Sequence, residues 1–385
     1  MTVRLLMVLN DAPFFVSHRL PIARAAKAAG IEVHIAVRHD EEAVAVMRRE
    51  GFTHHDLPLE RGSRRLGGEL ALIATLWRLM RDLKPDVVHA VTMKPVIYGG
   101  FVARLLGVPA VVHAITGLGY LFLIEGLGAR LQRFLVKTLY RFALGHGNSR
   151  AIFQNPDDLG LFRASHLVDD RRVRMIKGCG IDMTRYQPLP EPPGPVVVTF
   201  PARILGDKGV HEFVGAARQL RAEGVAARFV LVGRTDPDNP TDVGETGIRA
   251  WEREGIVQWQ GYSRDMVETF RQCHIVCMPS YREGLPRVLI EAAACGRAIV
   301  TADVPGCREV VREGENGFLV PVRDTEATAV ALRRLILDET LRQRMAARGR
   351  AMVEHEFSEP EFVARSFAVY REVCPAFPAA TGTHP

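Results

Sequence analysis

The chain has 385 residues, of which 47% are hydrophobic and 24% are charged, and its formal net charge at pH 7 is +6. This composition excludes an intrinsically disordered protein, and the length exceeds what one ordinary core accommodates, so we expect two domains. No apolar run approaches the roughly 20 residues that span a bilayer, and we therefore expect no transmembrane helix.

Short apolar strands alternate with amphipathic helices from the amino terminus onward. The opening stretch MTVRLLMVLN has no small-residue cleavage site behind it, so we interpret it as a first strand of a cytoplasmic protein and not as a signal peptide. The strands predicted in the first half are Arg4–Leu9, Glu32–Val37, Asp86–Val91, Ala110–Ile115, Ala151–Gln154 and Val173–Ile176, and the clearest helices are Leu20–Ala29 and Leu70–Leu83. Such alternation predicts βαβ units and a parallel sheet.

A proline-rich segment, PLPEPPGP at 188–195, interrupts this pattern and is predicted to be a linker, because proline lacks the backbone donor that helices and central strands need. The alternation then restarts, with strands predicted at Val196–Pro201, Arg228–Val232, Val257–Gln260, Ile275–Met278 and Ala298–Thr301. The fold class is therefore α/β, with two doubly wound parallel-sheet domains and a site in the cleft between them. We expect domains at 1–182 and 196–357, a hinge at 183–195, a carboxy-terminal helix at 358–374 that packs back on the first domain, and a flexible tail at 375–385.

The distribution of charge indicates the kind of partner, and the cysteines indicate the redox compartment. Residues 1–190 hold 26 Lys and Arg against 17 Asp and Glu, whereas the remainder holds 24 against 27. A basic first half predicts an anionic partner, although a merely basic surface gives the same balance. The six cysteines show no Cys-x-x-Cys pair and no zinc spacing, which fits a reducing compartment.

Cations and glycines follow the first three strands of the second domain. Arg203 and Lys208 in ARILGDKG lie five apart near a helix start, where two cations suit a diphosphate, although they also fit a solvated turn. Gly233 in VLVGRTD and Gly261 in QWQGYSRDM end two further strands, where backbone can face a nucleotide. Both glycine signals are weak on their own.

The fourth feature is the segment PSYREGLPRVLIEAAACG, at 279–296. Glu283 precedes a helix predicted at Leu285–Ala294 with Pro286 in its first turn, and Glu291 follows eight residues later inside an apolar run. A helix start binds anions, and carboxylates accept hydrogen bonds from paired hydroxyls, so the segment predicts a nucleoside-diphosphate sugar as ligand. The alternative is that a backbone amide or an arginine satisfies Glu291.

Together these residues resemble the signature of retaining glycosyltransferases of the GT-B fold, family 4, and the resemblance covers nearly the whole chain. It implies two Rossmann-like domains, with Arg203 and Lys208 neutralising the donor diphosphate in place of a metal. Glu291 would hold the ribose and Glu283 the transferred sugar. The amides around Gly284, Leu285 and Arg287–Val288, in the turn that holds Pro286 at the substrate, would cap the distal phosphate. We expect no cofactor and no metal, and we interpret Asp169–Asp170 as a solvated loop.

The resemblance assigns the acceptor to the first domain and is closest to bacterial members that extend glycans on undecaprenyl diphosphate. His18 and Arg19 lie in NDAPFFVSHRLPIA, interpreted as a loop after the first strand, and Arg19 is expected to meet the acceptor's diphosphate unless the two residues are a surface pair.

The segment HAITGLGYLF, at 113–122, follows the strand Ala110–Ile115. His113 or Thr116 is expected to lie near the transferred sugar, unless His113 is simply a strand histidine, and Gly117 to let the loop approach substrate.

A basic amphipathic helix is predicted within 123–145. Its apolar face is Leu127, Leu131, Phe134, Leu135, Leu139 and Phe142, and its basic residues are Arg130, Arg133, Lys137 and Arg141, with Arg61, Arg64 and Arg65 as further cations. Such a helix suits an anionic membrane surface, and the alternative is a core helix with a solvated basic face.

The expected function is retaining transfer of a sugar, with N-acetylhexosamine from a UDP-sugar preferred, onto a polyprenyl-diphosphate-linked saccharide in bacterial surface glycan biosynthesis. The enzyme would be cytoplasmic and peripheral at the inner face of the cell membrane. Alternatives are a soluble acceptor, a GDP-mannose donor, a nucleotide-sugar 2-epimerase and a non-catalytic sugar-nucleotide-binding subunit. Nucleic acid is not expected as a partner, because no aromatic residues interleave with the basic clusters.

Overall fold

A computed structural model describes residues 2–59, 66–116 and 127–380, which form two compact units. Unit 1 contains the described residues up to Gly180 together with those from Glu359 onward, and unit 2 is Ile181–Ser358. Each unit is built around one parallel sheet with its own buried core. No helix within the described ranges is long and apolar enough to cross a membrane.

The sheet of unit 1 has seven parallel strands in the order β3-β2-β1-β4-β5-β6-β7. These are β1 Arg4–Val8, β2 Glu32–Val37, β3 Thr53–Asp56, β4 Val87–Val91, β5 Ala110–Ile115, β6 Ser149–Phe153 and β7 Val173–Met175. The central strands are buried along most of their length, as expected for a sheet covered on both faces. Because β1 pairs with both β2 and β4, the strand order reverses between β1 and β4, and ligands of such sheets bind at this reversal.

The helices of unit 1 begin at polar caps where the sequence supplies them. They are α1 Ala12–His18, α2 Leu20–Ala28, α3 Glu41–Arg49, α4 Leu66–Leu83, α5 Gly100–Leu105, α6 Leu127–Leu144 and α7 Pro156–Ala164, and a π-helical turn at Pro95–Gly99 precedes α5. The side chains of Asp11, Asp40 and Asn155 accept backbone N–H groups at the starts of α1, α3 and α7.

Unit 2 repeats the design with six parallel strands in the order β10-β9-β8-β11-β12-β13. The strands are β8 Val196–Phe200, β9 Ala227–Leu231, β10 Gln258–Trp259, β11 Ile275–Met278, β12 Ala298–Ala302 and β13 Gly317–Val320. The helices are α8 Val210–Ala222, α9 Gly244–Arg253, α10 Met266–Arg271, α11 Arg287–Ala294, α12 Pro305–Arg308, α13 Thr325–Leu337 and α14 Glu339–Glu356. Counted from the first strand of this unit, the order is 3-2-1-4-5-6, the Rossmann arrangement, with its reversal between β8 and β11.

The last helix, α15 at Glu359–Val373, belongs to unit 1, where it contacts α2, β5 and β6. Its Tyr370 is fully buried and pairs with His89 of β4. The amide of Asn148 also donates to the carbonyl oxygen of Val373 at 2.7 Å. The helix is thus an integral part of this unit's core.

The proline-rich segment is part of unit 2 and is attached to it by two buried arginines. The guanidinium of Arg297, a residue only 1% exposed, donates to the carbonyl oxygens of Leu189 at 3.0 Å and Pro190 at 2.9 Å. Arg342 donates both Nε and Nη2 to the carboxylate of Glu191, at 2.7 and 2.8 Å. A proline-rich stretch has few amides but keeps its carbonyls, so arginine donors can secure it. The segment predicted as a hinge is therefore held on unit 2, and the chain passes from one unit to the other at 180–181 and 358–359.

The predicted fold class, two doubly wound parallel-sheet α/β domains, is confirmed. Two strands were absent from the predictions. β3 has the sequence THHD and is at most half-buried, so it lacks the apolar run that marks a buried strand. β13 is only four residues long and begins at a glycine.

Candidate active site

Lys208 and Glu283 meet at the strand-order reversal of unit 2. Lys208 ends a short 3-10 turn after β8, Glu283 follows β11, and Lys208 Nζ lies 2.7 Å from Glu283 Oε1. Their side chains are only 20% and 14% exposed. Gly209 makes this approach feasible, since its φ is +80° and a Cβ there would lie 2.1 Å from the carbonyl oxygen of Pro279. The first and fourth sequence features therefore form one cluster.

Arg203 lies beside this turn but is paired with a residue that sequence reasoning missed. Its guanidinium forms an ion pair with Asp236, in the loop after β9, and the Arg203 side chain is 43% exposed. No local signal marks Asp236, because the pairing joins the ends of two different strands. The predicted role of Arg203 on a diphosphate stays a prediction.

Glu291 is buried in α11 and is satisfied inside unit 2. Tyr186 donates its hydroxyl to Oε1 at 2.9 Å, and Arg287 Nε donates to the same oxygen at 2.7 Å. The pKa of Tyr186 is raised by burial and by the negative charge of Glu291, so the phenol keeps the proton that it donates. The arginine alternative considered from the sequence is thus present, and the Arg287–Glu291 spacing of four residues is the signal for it. Burial of Glu291 alone does not identify a ligand.

The turn before α11 differs from its prediction. The helix begins at Arg287 and not at Leu285, and Pro286 is its N-cap residue with extended backbone (φ −77°, ψ 98°). Pro286 is therefore outside the first turn where it was predicted. Gly306 packs closely against this turn, since a Cβ at Gly306 would lie 2.5 Å from the carbonyl oxygen of Gly284. The N–H of Gly306 also donates to the carbonyl oxygen of Glu283 at 3.2 Å. Leu285 packs on the core of unit 2.

Gly233 and Gly261 are brought together by their backbones. The N–H of Gly233 donates to the carbonyl oxygen of Gly261 at 2.7 Å, and Trp259 Nε1 donates to Gly233 O at 2.8 Å. A Cβ at Gly233 would lie 1.8 Å from the carbonyl oxygen of Ala202, so only glycine fits. Gly261 has a φ of +71° and open space where its Cβ would be. Both predicted glycines thus lie at one edge of the sheet, although the amide of Gly233 is already bonded.

The unit 1 residues predicted from NDAPFFVSHRLPIA lie in helices and not in a loop. His18 is the last residue of α1, where its ring stacks on Phe14 and its Nδ1 lies 2.7 Å from Ser17 Oγ. Arg19 separates α1 from α2 and is only 3% exposed. Its guanidinium donates to the carbonyl oxygen of His18 at 3.0 Å and lies over the rings of Phe14 and Phe362.

Arg19 lines a small cavity of about 10 Å³, which is the size of one water molecule. The prediction that Arg19 meets the acceptor's diphosphate stays a prediction. Burial lowers the pKa of Arg19 from its ordinary value, yet an arginine stays protonated at any physiological pH. Its contacts with Phe14, Phe362 and the His18 carbonyl indicate a structural role in joining α1, α2 and α15.

His113 is also buried, whereas Thr116 lies directly after the end of β5. The His113 ring is fully buried next to Gly100 of α5, where an added Cβ would lie 2.6 Å from it. Burial lowers the pKa of His113 to about 3, with the nearby His146 adding to the effect, so the ring is neutral at pH 7. This burial fits the alternative of a strand histidine, and the prediction that His113 lies near the transferred sugar stays a prediction. Thr116 is half-buried just after β5, and Gly117 lies outside the described residues.

Among the residues that the structure describes, no group of three or more His, Cys, Asp or Glu side chains is arranged to hold a metal ion. The β8–β11 reversal brings Lys208 and Glu283 together near the start of α11, with the Arg203–Asp236 pair beside them. Fixed cations and a helix start stabilise negative charge that develops on a leaving phosphate.

Comparisons with known proteins identify the family. The model of "Glycosyl transferases group 1" matches residues 185–352, and that of "Glycosyl transferase 4-like" matches residues 4–154. Both halves of the chain thus match glycosyl transferase families. The predicted family resemblance and the GT-B fold are thereby confirmed.

Two curated relatives of this glycosyl transferase act on undecaprenol-linked substrates, according to their names. It is 28% identical to the N,N'-diacetylbacillosaminyl-diphospho-undecaprenol alpha-1,3-N-acetylgalactosaminyltransferase of Campylobacter jejuni, over 85% of this chain and 88% of the relative. It is 24% identical to the UDP-Gal:alpha-D-GlcNAc-diphosphoundecaprenol alpha-1,3-galactosyltransferase of Escherichia coli, over 71% and 72% of the two chains. The crystal structure of Anabaena HepE with UDP and glucose matches with a TM-score of 0.75 and 18% identity, over 96% of this chain and 99% of HepE, which shows the shared fold.

Proposed function

We propose that this glycosyl transferase moves an N-acetylhexosamine from a UDP-sugar onto a polyprenyl-diphosphate-linked saccharide, with retention at the anomeric carbon, in bacterial surface glycan biosynthesis. The observation that carries the proposal is the meeting of Lys208 and Glu283 at the strand-order reversal of unit 2, beside the start of α11. The names of the Campylobacter and E. coli relatives support the lipid-linked acceptor. The name of the E. coli relative and the HepE complex support a uridine nucleotide.

In this proposal, cations and a helix start of unit 2 stabilise the leaving diphosphate. Lys208 and Arg203 carry the positive charge for the diphosphate, and each now has a carboxylate partner that the ligand would replace or share. The start of α11 adds its helix dipole to the distal phosphate. Glu291, held in place by Tyr186 and Arg287, receives the ribose hydroxyls. These cations take the part that a metal plays in other transferases, so the reaction proceeds without one.

Transfer with retention follows a front-face route in this proposal. The bond from the anomeric carbon to the diphosphate oxygen breaks, and the bond to the acceptor hydroxyl oxygen forms on the same face. The acceptor proton passes to the departing phosphate, so UDP leaves as the product of the donor. Glu283 orients the hydroxyls of the transferred sugar and, through its ion pair, positions Lys208.

Unit 1 carries a surface suited to the lipid on which the acceptor is anchored. Phe134 and Leu135 on α6 are 66% and 53% exposed, and Arg141 is exposed one to two turns further along the same helix. Apolar side chains beside cations bind anionic membrane surfaces. The enzyme would therefore dock peripherally at the inner face of the cell membrane, with α6 as the contact.

A donor and acceptor panel tests the proposal. Purified protein is mixed with labelled UDP- and GDP-sugars and with polyprenyl-diphosphate saccharides, in the presence of EDTA. We expect transfer from a UDP-N-acetylhexosamine that is lost in Lys208→Gln and Glu291→Gln but kept in Arg333→Gln. Arg333 pairs with Glu223 elsewhere in unit 2 and serves as the matched control.

Other outcomes of the panel identify the alternatives. Transfer from GDP-mannose, or onto a soluble saccharide only, would replace the donor or acceptor of the proposal. Conversion of the free UDP-sugar to its 2-epimer would indicate an epimerase. Nucleotide binding without turnover across the panel would favour a non-catalytic subunit, and loss of transfer in EDTA would contradict metal independence.

A further inference from the structure

A polar cavity of unit 1 lies at the carboxyl ends of β2 and β3. Its volume is about 460 Å³, within the range that small-molecule ligands occupy. It is lined by Arg38 and His39 directly after β2, by Asp56 at the end of β3, and by Glu69 and Lys94 on the opposite side. None of these residues was singled out from the sequence.

The cavity lining combines an arginine that forms no ion pair with carboxylate and ammonium groups that can hydrogen-bond sugar hydroxyls. Arg38 is exposed to solvent and has no ion-pair partner in the described part of the chain. Lys94 Nζ lies 2.8 Å from Glu69 Oε1, and Asp56 Oδ1 accepts the backbone N–H of His39 at 2.8 Å, so both carboxylates are held in fixed positions. Carboxylates fixed in this way accept hydrogen bonds from sugar hydroxyls, and a fixed ammonium group donates hydrogen bonds to them. An unpaired guanidinium attracts phosphate.

The strand-order reversal of unit 1 lies next to this cavity. Asn10 comes two residues after the end of β1, and Thr92 directly follows β4, which pairs with β1. Asn10 Oδ1 and Thr92 Oγ1 are both buried and lack a hydrogen-bond partner among the described residues.

Thr92 also has an unusual backbone. Its φ is +74°, a conformation that is strained for a β-branched residue. The rare π-helical turn at Pro95–Gly99 begins directly after Lys94. Strain, unpartnered oxygens and a π-helical turn at one strand end are features of ligand sites.

We propose that this cavity binds the saccharide diphosphate of the acceptor, with Arg38 on a phosphate and Asp56, Glu69 and Lys94 on the sugar hydroxyls. The inference rests on the proposed function and gives its acceptor a place in unit 1. Cation and carboxylates together favour a sugar linked to a diphosphate over a neutral glycan or an inorganic anion.

The test is binding to the intact protein, independent of turnover. The probe is N-acetylglucosamine linked through a diphosphate to a short isoprenoid chain, titrated calorimetrically beside inorganic diphosphate, free N-acetylglucosamine and UDP. We expect Arg38→Gln to weaken probe binding by about tenfold or more, because a charge-assisted hydrogen bond is lost, and to leave UDP binding unchanged. Arg48→Gln, at an exposed arginine of α3 in the same unit, should bind the probe as the unaltered protein does.

The outcomes separate this inference from the proposed function. Equal affinity of Arg38→Gln and unaltered protein for the probe would overturn the inference even where transfer is observed. Equal affinity of the probe and inorganic diphosphate would also overturn it, because the sugar would then have no part. Arg38-dependent binding of the probe without transfer from any donor would uphold the cavity and refute the transferase.

Discussion

The ion pair between Lys208 and Glu283 joins residues that lie 75 positions apart in the chain. Both side chains are mostly buried, so the lysine and the carboxylate are largely removed from water. They lie where, in the proposed function, negative charge develops on the departing diphosphate. A diphosphate at this place competes with Glu283 for the ammonium group. We therefore expect nucleotide affinity to depend on Lys208 more than on an exposed cation such as Arg203.

Lys208→Gln should lower UDP affinity by about tenfold to a hundredfold, because a charged hydrogen bond to phosphate is worth about 1.5–3 kcal/mol. Isothermal titration with UDP measures the change, with Arg333→Gln as a control that should keep the unaltered affinity. UDP binding to Lys208→Gln at full strength would mean that the nucleotide occupies another place.

Gly233→Ala should destabilise unit 2 by about 1–3 kcal/mol, the usual cost of overpacking, since its Cβ would meet the Ala202 carbonyl oxygen at 1.8 Å. Urea unfolding followed by tryptophan fluorescence measures this, because Trp251 and Trp259 both lie in unit 2. Gly160→Ala in α7 is the control, since nothing lies within 4 Å of its added Cβ, and it should be neutral or slightly stabilising. Equal stability of the two variants would show that the strand end is free to shift.

The proline-rich segment, whose sequence indicates flexibility, is held on unit 2 by Arg297 and Arg342. Burial acts to raise the pKa of Glu191, but the hydrogen bond and charge of Arg342 outweigh it, and this pKa lies below its ordinary value. The pair therefore stabilises unit 2 when Glu191 is ionised, which is the case above the ordinary carboxyl range. The contribution is lost as pH falls through the lowered pKa of the folded protein.

Glu191→Gln should reduce the free energy of unfolding by about 1.5–3 kcal/mol at pH 7, because Arg342 loses a charged acceptor while buried. The difference between variant and unaltered protein should shrink as the pH falls below the ordinary carboxyl range and through the lowered pKa of Glu191. Denaturant unfolding at pH 7 and at progressively lower pH gives the comparison. A difference that stays constant with pH would contradict a role for the charge.

The described part of α6 distinguishes two faces of the predicted amphipathic helix. Tyr140, Ala143 and Leu144 are buried in unit 1, whereas Phe134 and Leu135 face solvent. The helix therefore packs through residues outside the predicted apolar face, whereas Phe134 and Leu135 of that face are exposed.

Phe134→Ser with Leu135→Ser should lower binding to phosphatidylglycerol vesicles by about tenfold or more, because two apolar side chains no longer enter the lipid. Co-sedimentation measures the bound fraction. Leu337→Ser, at an equally exposed leucine of α13 in unit 2, is the matched control and should leave binding intact. Unchanged sedimentation of the double variant, or equal binding to neutral phosphatidylcholine, would refute α6 as the docking element.

For the whole molecule, the two units offer separate chemistry: cations and carboxylates at the β8–β11 reversal of unit 2, and a mixed polar cavity at the β2–β3 ends of unit 1. The proposed donor and acceptor thus each have their own sheet. Such a division fits a reaction whose two substrates are a nucleotide sugar and a lipid-linked saccharide.

UDP should slow amide hydrogen exchange at 203–209 and 283–291 and leave the segments 38–40 and 92–95 unaffected. The isoprenoid diphosphate sugar should do the reverse, because a ligand protects the backbone that it contacts or orders. Exchange measured by mass spectrometry on the intact protein resolves these segments. Protection of the unit 1 segments by UDP alone would contradict the assignment of the donor to unit 2.

The sequence by itself determined the α/β class, the restart of the alternating pattern after the proline-rich segment, and the residues that belong to the donor signature. These are local properties: apolar period, glycine and proline positions, and the spacing of Glu283 and Glu291. Tertiary structure alone decided that Lys208 pairs with Glu283, that Tyr186 satisfies Glu291, and that Arg19 and His113 are buried. Partners and burial depend on which strand ends become neighbours, and that follows from sheet order, which no short stretch of sequence contains.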